Sequence, residues 1–405
     1  MKRIVFLDHT AQEGGGELAM LRLIEALERE SYAPRVILFS DGRLRARLEA
    51  ARVPTAVVAL DERVRGAGRD ELGASPLGAV RGVFSSAAFV PRLIRAIRGA
   101  RADLVVANTL KAAVFAAVAA PLAGRGWVWH LHDRLADDYL SPRLARAMRA
   151  LAVIGPRWIV ANSAATLATL PERARRKASI AYPGLPREAF GEDEVRPAPT
   201  VPTIGMLGRV APTKGQREFL SAASAVARTH PDAVFRVVGR ALFNDAPYED
   251  EVRALAEDLG IADRVTFVGW VDDPADELRG LTAFVHASPV PEPFGQVIVE
   301  AMAVGVPVIA TDAGGAREIL DPSGPAGAPS YRRTAVGQLV RPADPGALAE
   351  AIGWTLENPG EVEELARRAH ESAMERFTVE RTRDAVTTAW RAALEGRRRR
   401  GGAPA

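Results

Sequence analysis

The sequence predicts an α/β protein built as two doubly wound parallel-sheet domains. Three observations carry that expectation. Short β-rich runs alternate with helical stretches along the chain, the pattern of a parallel sheet covered on both faces. The same βαβ plan occurs twice, on either side of a proline- and charge-rich break. The length, 405 residues, suits two or three domains of about 100–200 residues each.

In the first half, strands are expected at Ile4–Leu7, Arg35–Phe39, Thr55–Ala59, Leu104–Ala107, Val128–Leu131, Ile159–Ala161 and Ser179–Tyr182. The stretch "LPREAFGEDEVRPAPTVP" has no periodicity and reads as a linker, 186–201, between domains at 1–185 and 202–377. The second series runs through Thr203–Leu207, Val234–Val238, Val265–Val268, Ala283–His286, Val308–Ala310 and Gln338–Val340. The stretch 322–333, "PSGPAGAPSYRR", reads as a flexible loop. A last amphipathic helix over 378–395 is expected to pack back on the first domain, and the basic tail 396–405 is expected to be disordered.

Composition is that of an ordinary globular protein, 48% hydrophobic and 25% charged, without cysteine. Disulfides, thiolate metal sites and a cysteine nucleophile are therefore excluded. The N-terminus lacks a signal-peptide pattern. The longest apolar run, "AAVFAAVAAPLAG" at 112–124, falls short of the roughly 20 residues a span requires and reads as a buried helix. A cytoplasmic protein is expected, with the inner face of the membrane as a surface it could approach peripherally. Charge is uneven: through Leu185 there are 28 Lys/Arg against 17 Asp/Glu, and afterwards 25 against 33. A basic first half suits an anionic partner such as a membrane surface or phosphorylated acceptor, although arginine scattered over solvated helices explains it equally well. The segment "VPRLIRAIRGAR", 90–101, sets Leu93, Ile94 and Ile97 opposite several arginines. It fits an ordinary surface helix or one lying on lipid. Nucleic acid is not an expected partner.

"EGGGELA" satisfies the relaxed G-x-G-x-x-A fingerprint at Gly14–Ala19, but "DHTAQE" separates Leu7 from Gly14. A dinucleotide motif closes its first strand directly, so a structural turn or a phosphate or sugar contact fits better. The second half is more informative. In "IGMLGRVAPTKGQREFL", Arg209 and Lys214 bracket a loop at a helix start, which suits a diphosphate. In "EPFGQVIVEAM", Glu292 sits in a proline-held loop, Gly295 permits close backbone approach, and Gln296 opens a helix with free N–H groups. Glu300 follows one turn later. Carboxylates so placed suit hydroxyl-rich ligands.

These stretches resemble the family-4 retaining glycosyltransferases. "EPFGQVIVEAM" is similar to their E-x7-E signature, "LGRVAPTKG" to their diphosphate loop, "GGGELAMLRLIEAL" to their N-terminal glycine loop and "WHLHD" to their His-Asp strand end. "GWVDD" and "ATDAGGAREIL" also fit. The resemblance covers nearly the whole chain and is weakest between 60 and 100. It implies the GT-B fold, two Rossmann-like domains facing across a crevice, with the acceptor bound by the first domain and the nucleotide sugar by the second.

It implies residue roles as well. Glu300 would hold the ribose hydroxyls, Glu292 would orient the donor sugar, and Arg209 and Lys214 would neutralise the diphosphate. Backbone around Phe294, Gly295 and Gln296 would assist, as would Gly15 and Gly16. His132 would act at the sugar, while Glu17, Asp133 and His9 are candidates for the acceptor; Glu17 is read equally as a partner of the helix N-terminus. His130 reads as structural, and His286 and Ser288 as support. No metal and no cofactor are expected, because cations and a helix N-terminus supply the charge. The donor would be a UDP- or GDP-sugar and the acceptor a hydroxyl of a glycan, a lipid-linked sugar or a small molecule. A GT-B epimerase and a non-catalytic sugar-nucleotide-binding protein are the alternatives, separated by whether a glycoside, an epimer or nothing is formed.

Overall fold

The computed structural model describes residues 1–61, 76–191, 199–241, 245–324, 327 and 330–400, with backbone alone at 76–87 and 396–400. The chain divides into two compact units, Met1–Gly184 joined by the chain from Val379 onward, and Leu185–Thr378.

The first unit holds a seven-stranded sheet in the order β3-β2-β1-β4-β5-β6-β7. These strands are β1 (Lys2–Asp8), β2 (Tyr32–Leu38), β3 (Thr55–Val57), β4 (Leu104–Ala107), β5 (Gly126–Leu131), β6 (Trp158–Ala161) and β7 (Ala178–Ile180). All pairings are parallel. A sheet buried on both faces needs apolar residues without alternation, and Ile4 through Leu7 are wholly buried. The two-residue period still sorts them: Val5 and Leu7 enter one core, Ile4 and Phe6 the other. Helices Pro76–Gly99, Leu110–Leu122 and Pro142–Ile154 cover the first face through residues such as Phe89, Ala116 and Met148. Helix Gly15–Ala26 covers the second with Met20 and Ile24, alongside the C-terminal helix Val379–Arg400. The latter sets Trp390 edge-on to Phe6, with ring centroids 5.8 Å apart.

The second unit repeats the plan with β8 (Thr203–Leu207), β9 (Val234–Val238), β10 (Val265–Gly269), β11 (Ala283–His286), β12 (Val308–Thr311), β13 (Tyr331–Arg333) and β14 (Gln338–Val340), in the order β10-β9-β8-β11-β12-β14-β13. In each sheet the order reverses beside the first strand, between β1 and β4 and between β8 and β11. Ligands of such folds bind at the carboxyl ends of strands at these switch points.

The structure corrects four expectations. Tyr331–Arg333 is an antiparallel edge strand on β14, not loop, and the Tyr331 hydroxyl donates to Gln338 at 2.7 Å. The final helix continues through Arg400 where a disordered tail was expected, because arginine is a good helix former; residues 401–405 lie outside the described residues. The expected linker begins as part of the second unit: the N–H of Leu185 donates to the Phe377 carbonyl and Phe190 is buried, while 192–198 lie outside the described residues. Helix Leu110–Leu122 is buried on one face only, since Val114, Val118 and Leu122 are exposed. The weakly matching stretch between 60 and 100 includes 62–75, also outside the described residues.

Candidate active site

In the second unit the expected residues gather at the switch point between β8 and β11. The loop after β8 carries Arg209 and passes through a 3-10 turn, Pro212–Lys214, to helix Gln216–Thr229. Gly215 joins them at φ +83°, and a Cβ there would stand 2.0 Å from the Ala287 carbonyl oxygen. Only glycine lets the two loops approach so closely.

The loop after β11 brings Glu292 to Lys214, with Nζ 2.5 Å from Oε1. On the other oxygen, His286 Nε2 lies 3.3 Å away. The Ser288 hydroxyl donates to the Thr213 carbonyl and lies 3.3 Å from Glu292 Oε1. Glu292 is only 9% exposed. Burial works to raise its pKa, but Lys214 and His286 prevail and hold the carboxyl well below the usual carboxylate range. It is therefore an ionised acceptor at neutral pH.

Beneath the loop, the turn after β12 supplies Gly314 and Gly315. The Gly315 N–H donates to the Glu292 carbonyl at 2.9 Å, and a Cβ on Gly314 would meet the same carbonyl oxygen at 2.2 Å. Gly295, at φ +107°, caps helix Gln296–Ala303 without a side-chain acceptor for its leading N–H groups. Phe294 is buried edge-on to Phe377, which anchors the loop. Glu300 is half-buried one turn into the helix. Arg209 is 3.3 Å from Asp245, a carboxylate the sequence reading missed. Both expected diphosphate cations thus stand on carboxylates of the same unit, held in place yet partly exposed.

In the first unit, β1, β4 and β5 end side by side and bring Asp8, Asn108 and His132 together. The Asn108 amide donates to Asp8 Oδ2 at 2.8 Å and to the Gly16 carbonyl at 3.2 Å, so its oxygen faces His132 Nε2 at 3.1 Å. An acceptor there requires the proton on Nε2. The other ring nitrogen, Nδ1, is then a buried acceptor without a partner among the described residues. Burial lowers the His132 pKa, against the pull of Asp133 and Asp8, so the ring is neutral at pH 7. His130, expected to be structural, takes a hydrogen bond from the Trp390 indole at 3.2 Å, and burial pushes its pKa down to about 3. His9 meets the Thr109 hydroxyl at 2.9 Å, and Asp133 takes a hydrogen bond from Tyr139 at 3.3 Å.

Of the two readings open for Glu17, a partner of the helix N-terminus or an acceptor contact, the structure has the first, and it turns the carboxyl inward. Gly14 is the N-cap of helix Gly15–Ala26, and Glu17 reaches back to accept from the N–H of Gly14 and of its own residue. This is one half of a capping box. Burial, with Asp8 and Asp133 nearby, pushes its pKa up to about 8. The glycine turn thus already holds a carboxyl over its leading N–H groups, and Gly15 and Gly16 extend beside it, with Gly16 against the His132 ring.

Asp8 and Asn108 are the principal residues that sequence reasoning underweighted. Their signal was position: each polar residue directly follows an apolar strand at its carboxyl end. Among the described residues no group of three or more His, Asp or Glu is placed to hold a metal ion.

Comparison with known proteins agrees with this geometry. The model of "Glycosyltransferase Family 4" matches residues 13–189 and that of "Glycosyl transferases group 1" matches 192–376. A GDP-mannose-dependent alpha-(1-6)-phosphatidylinositol monomannoside mannosyltransferase of Mycobacterium tuberculosis is 38% identical over 127 residues, 29% of this chain and 31% of that protein. The lipopolysaccharide core biosynthesis mannosyltransferase LpsB of Rhizobium meliloti is 37% identical over 134 residues, 33% of this chain and 36% of that protein. The chain thus aligns with about a third of the length of these two relatives. The crystal structure of Anabaena Alr3699/HepE in complex with UDP and glucose superposes with a TM-score of 0.80 at 27% identity, covering 96% of this chain and 99% of that one. Two Rossmann-like parallel sheets, the carboxylate loop with its helix N-terminus, and two family models in tandem lead to one conclusion: the chain belongs to the family-4 glycosyltransferases, of GT-B fold.

Proposed function

We propose that the protein transfers a sugar from a nucleoside-diphosphate donor to an acceptor hydroxyl with retention of anomeric configuration. The observation that carries this reading is Glu292, an ionised carboxylate held between Lys214 and His286 beside the N-terminus of helix Gln296–Ala303. A carboxylate fixed in this way accepts hydrogen bonds from sugar hydroxyls, while neighbouring cations and N–H groups meet a diphosphate. Arg209 and Lys214 then stabilise the charge that develops on the departing nucleoside diphosphate, the largest electrostatic demand of the reaction. Glu300 takes the ribose hydroxyls. Phe294, Gly295 and Gln296 present backbone to the phosphates.

In the first unit, His132 is assigned to the donor sugar through its unprotonated Nδ1, a fixed acceptor for a hydroxyl. Gly15 and Gly16 are assigned to donor contacts, and His9 and Asp133 to the acceptor. Glu17 acts through the glycine turn that it closes. The mechanism is proposed to need neither metal nor cofactor, with the diphosphate serving as the base on the face where the acceptor arrives. Glu292 is a donor-binding group and not the nucleophile of a double-carboxylate scheme.

UDP- and GDP-sugars are the donors to test, given the UDP-bound Anabaena neighbour and the GDP-mannose-dependent mycobacterial relative. The phosphatidylinositol monomannoside in the mycobacterial relative's name and the lipopolysaccharide core in the Rhizobium relative's name support a lipid-linked or glycan acceptor. Incubation with each donor, with assay for free nucleoside diphosphate and a new glycoside, tests the reading. An epimer alone, or no turnover with any donor, would overturn it.

A further inference from the structure

The first unit carries a surface that the sugar chemistry does not use. Helices Pro76–Gly99, Leu110–Leu122 and Pro142–Ile154 lie side by side on one sheet face, with their inner residues in one core. Their outer faces therefore look in the same direction. From Ala88 onward these three helices contain seven Lys/Arg and no Asp or Glu. In the middle helix Lys111 is the only charged residue, and Val114, Val118 and Leu122, spaced four apart, are 43%, 48% and 56% exposed. Ile154, ending the third helix, is 81% exposed. On the flanking helices Arg95, Arg98, Arg143 and Arg146 are exposed. The Arg98 guanidinium donates to the Leu122 carbonyl at 2.6 Å, which sets a cation directly beside the apolar row. The acids of the nearby loop are already engaged, Asp137 by Arg149 and Asp138 by Arg134.

We infer that this three-helix face docks on the surface of a bilayer containing anionic lipid, with the Val114–Leu122 row entering the headgroup boundary and the arginines meeting lipid phosphates. An apolar row between cations on flanking helices is what an interfacial helix surface requires. No described helix is long and apolar enough to cross a membrane, so the contact is peripheral. A second copy of the chain fits the face poorly, because a two-fold contact sets the same patch against itself and brings cation to cation. The inference deepens the lipid-linked acceptor of the proposed function. It is measured without donor or turnover, so the two readings fail separately.

The test is co-sedimentation of the full chain with phosphatidylcholine vesicles, with and without phosphatidylglycerol. Binding is expected only with phosphatidylglycerol, and it should weaken as salt rises. Arg95→Gln, Arg143→Gln and Arg146→Gln combined should weaken it on the order of 100-fold, from about fivefold per cation lost. Val118→Ser with Leu122→Ser should weaken it about tenfold through lost apolar insertion. Both variants alter exposed positions, so melting temperature and donor hydrolysis in vesicle-free solution should stay at the wild-type value. Equal binding to both vesicle types, no binding to either, variants that bind like wild type, or a wild-type dimer dissolved by Val118→Ser would each overturn the inference.

Discussion

Replacing Lys214 with methionine isolates the contact on which the donor site rests. Lys214 Nζ is 2.5 Å from Glu292 Oε1, with the lysine side chain 32% exposed and the carboxylate 11%. Removing one partner of a fully buried pair costs about 3–5 kcal/mol. Here Lys214 keeps a third of its side chain in water and Glu292 keeps His286 and Ser288, so about 2 kcal/mol is expected. For a unit the size of Leu185–Thr378 that is a fall in melting temperature of about 4–8 °C. Glu292→Gln alone should cost less, because the freed lysine can reach solvent. The double variant should recover part of the loss, giving a coupling of about 1–2 kcal/mol in a double-mutant cycle by urea denaturation. The acid side carries a second signature. The folded-state pKa of Glu292 is depressed, so its stabilisation is present above the unfolded pKa and is lost as pH falls through the folded value. With Lys214 gone there is less to lose, and stability should fall less steeply below about pH 4.5. Single-variant costs that add to within about 0.5 kcal/mol would refute the pairing as the force that fixes Glu292.

Other outcomes follow from the same geometry. Glu300→Ala should abolish donor-dependent turnover and the thermal shift produced by UDP or GDP while leaving the unliganded melting temperature within about 2 °C; retained activity would sink the ribose assignment. Glu17→Gln should flatten the pH–stability profile. The wild-type carboxyl titrates near pH 8 when folded, so its relative stabilisation is complete below the unfolded pKa and declines as pH rises through about 8. Melting temperatures from pH 5 to 8 that decline equally in both proteins would contradict the buried acid. Gly215→Ala should cost at least about 2 kcal/mol and weaken nucleotide binding, because its Cβ meets the Ala287 carbonyl oxygen and its φ is positive; unchanged urea midpoints would argue that the loop can relax.

Much of this was legible in the sequence because it is local. Arg209 and Lys214 end one strand, and Glu292 through Glu300 end another, so strand–loop–helix patterning places them at one sheet edge. What joins them is not local. Lys214 and Glu292 are 78 residues apart and meet because β11 pairs with β8, an order that no strand announces in its own sequence. The same limit hid the link from Asp8 through Asn108 to His132, which depends on β1, β4 and β5 lying side by side. Tyr331–Arg333 escaped because three residues after a proline- and glycine-rich stretch show no strand period; β14 supplies their partner. Helix Leu110–Leu122 was misjudged in the opposite way. Its unbroken apolar composition implies burial, yet one face is exposed, and composition alone cannot separate an all-round buried helix from one that turns an apolar face to its surroundings. For Glu17 the place in the glycine loop leaves a helix N-terminal partner and an acceptor contact both open, and only side-chain geometry, the reach back to Gly14, separates them.

The central claim, that an ionised Glu292 and its cations serve a retaining sugar transfer, is tested most directly by proton NMR of one reaction in real time. An α-linked UDP- or GDP-sugar and a hydroxyl acceptor are mixed with the protein, and the anomeric signals are followed. The account predicts loss of the donor signal, release of the nucleoside diphosphate and a new α-glycoside from the first turnover, with no such signal from Glu292→Gln. A β-glycoside, or an α-glycoside formed at the wild-type rate by Glu292→Gln, would contradict it.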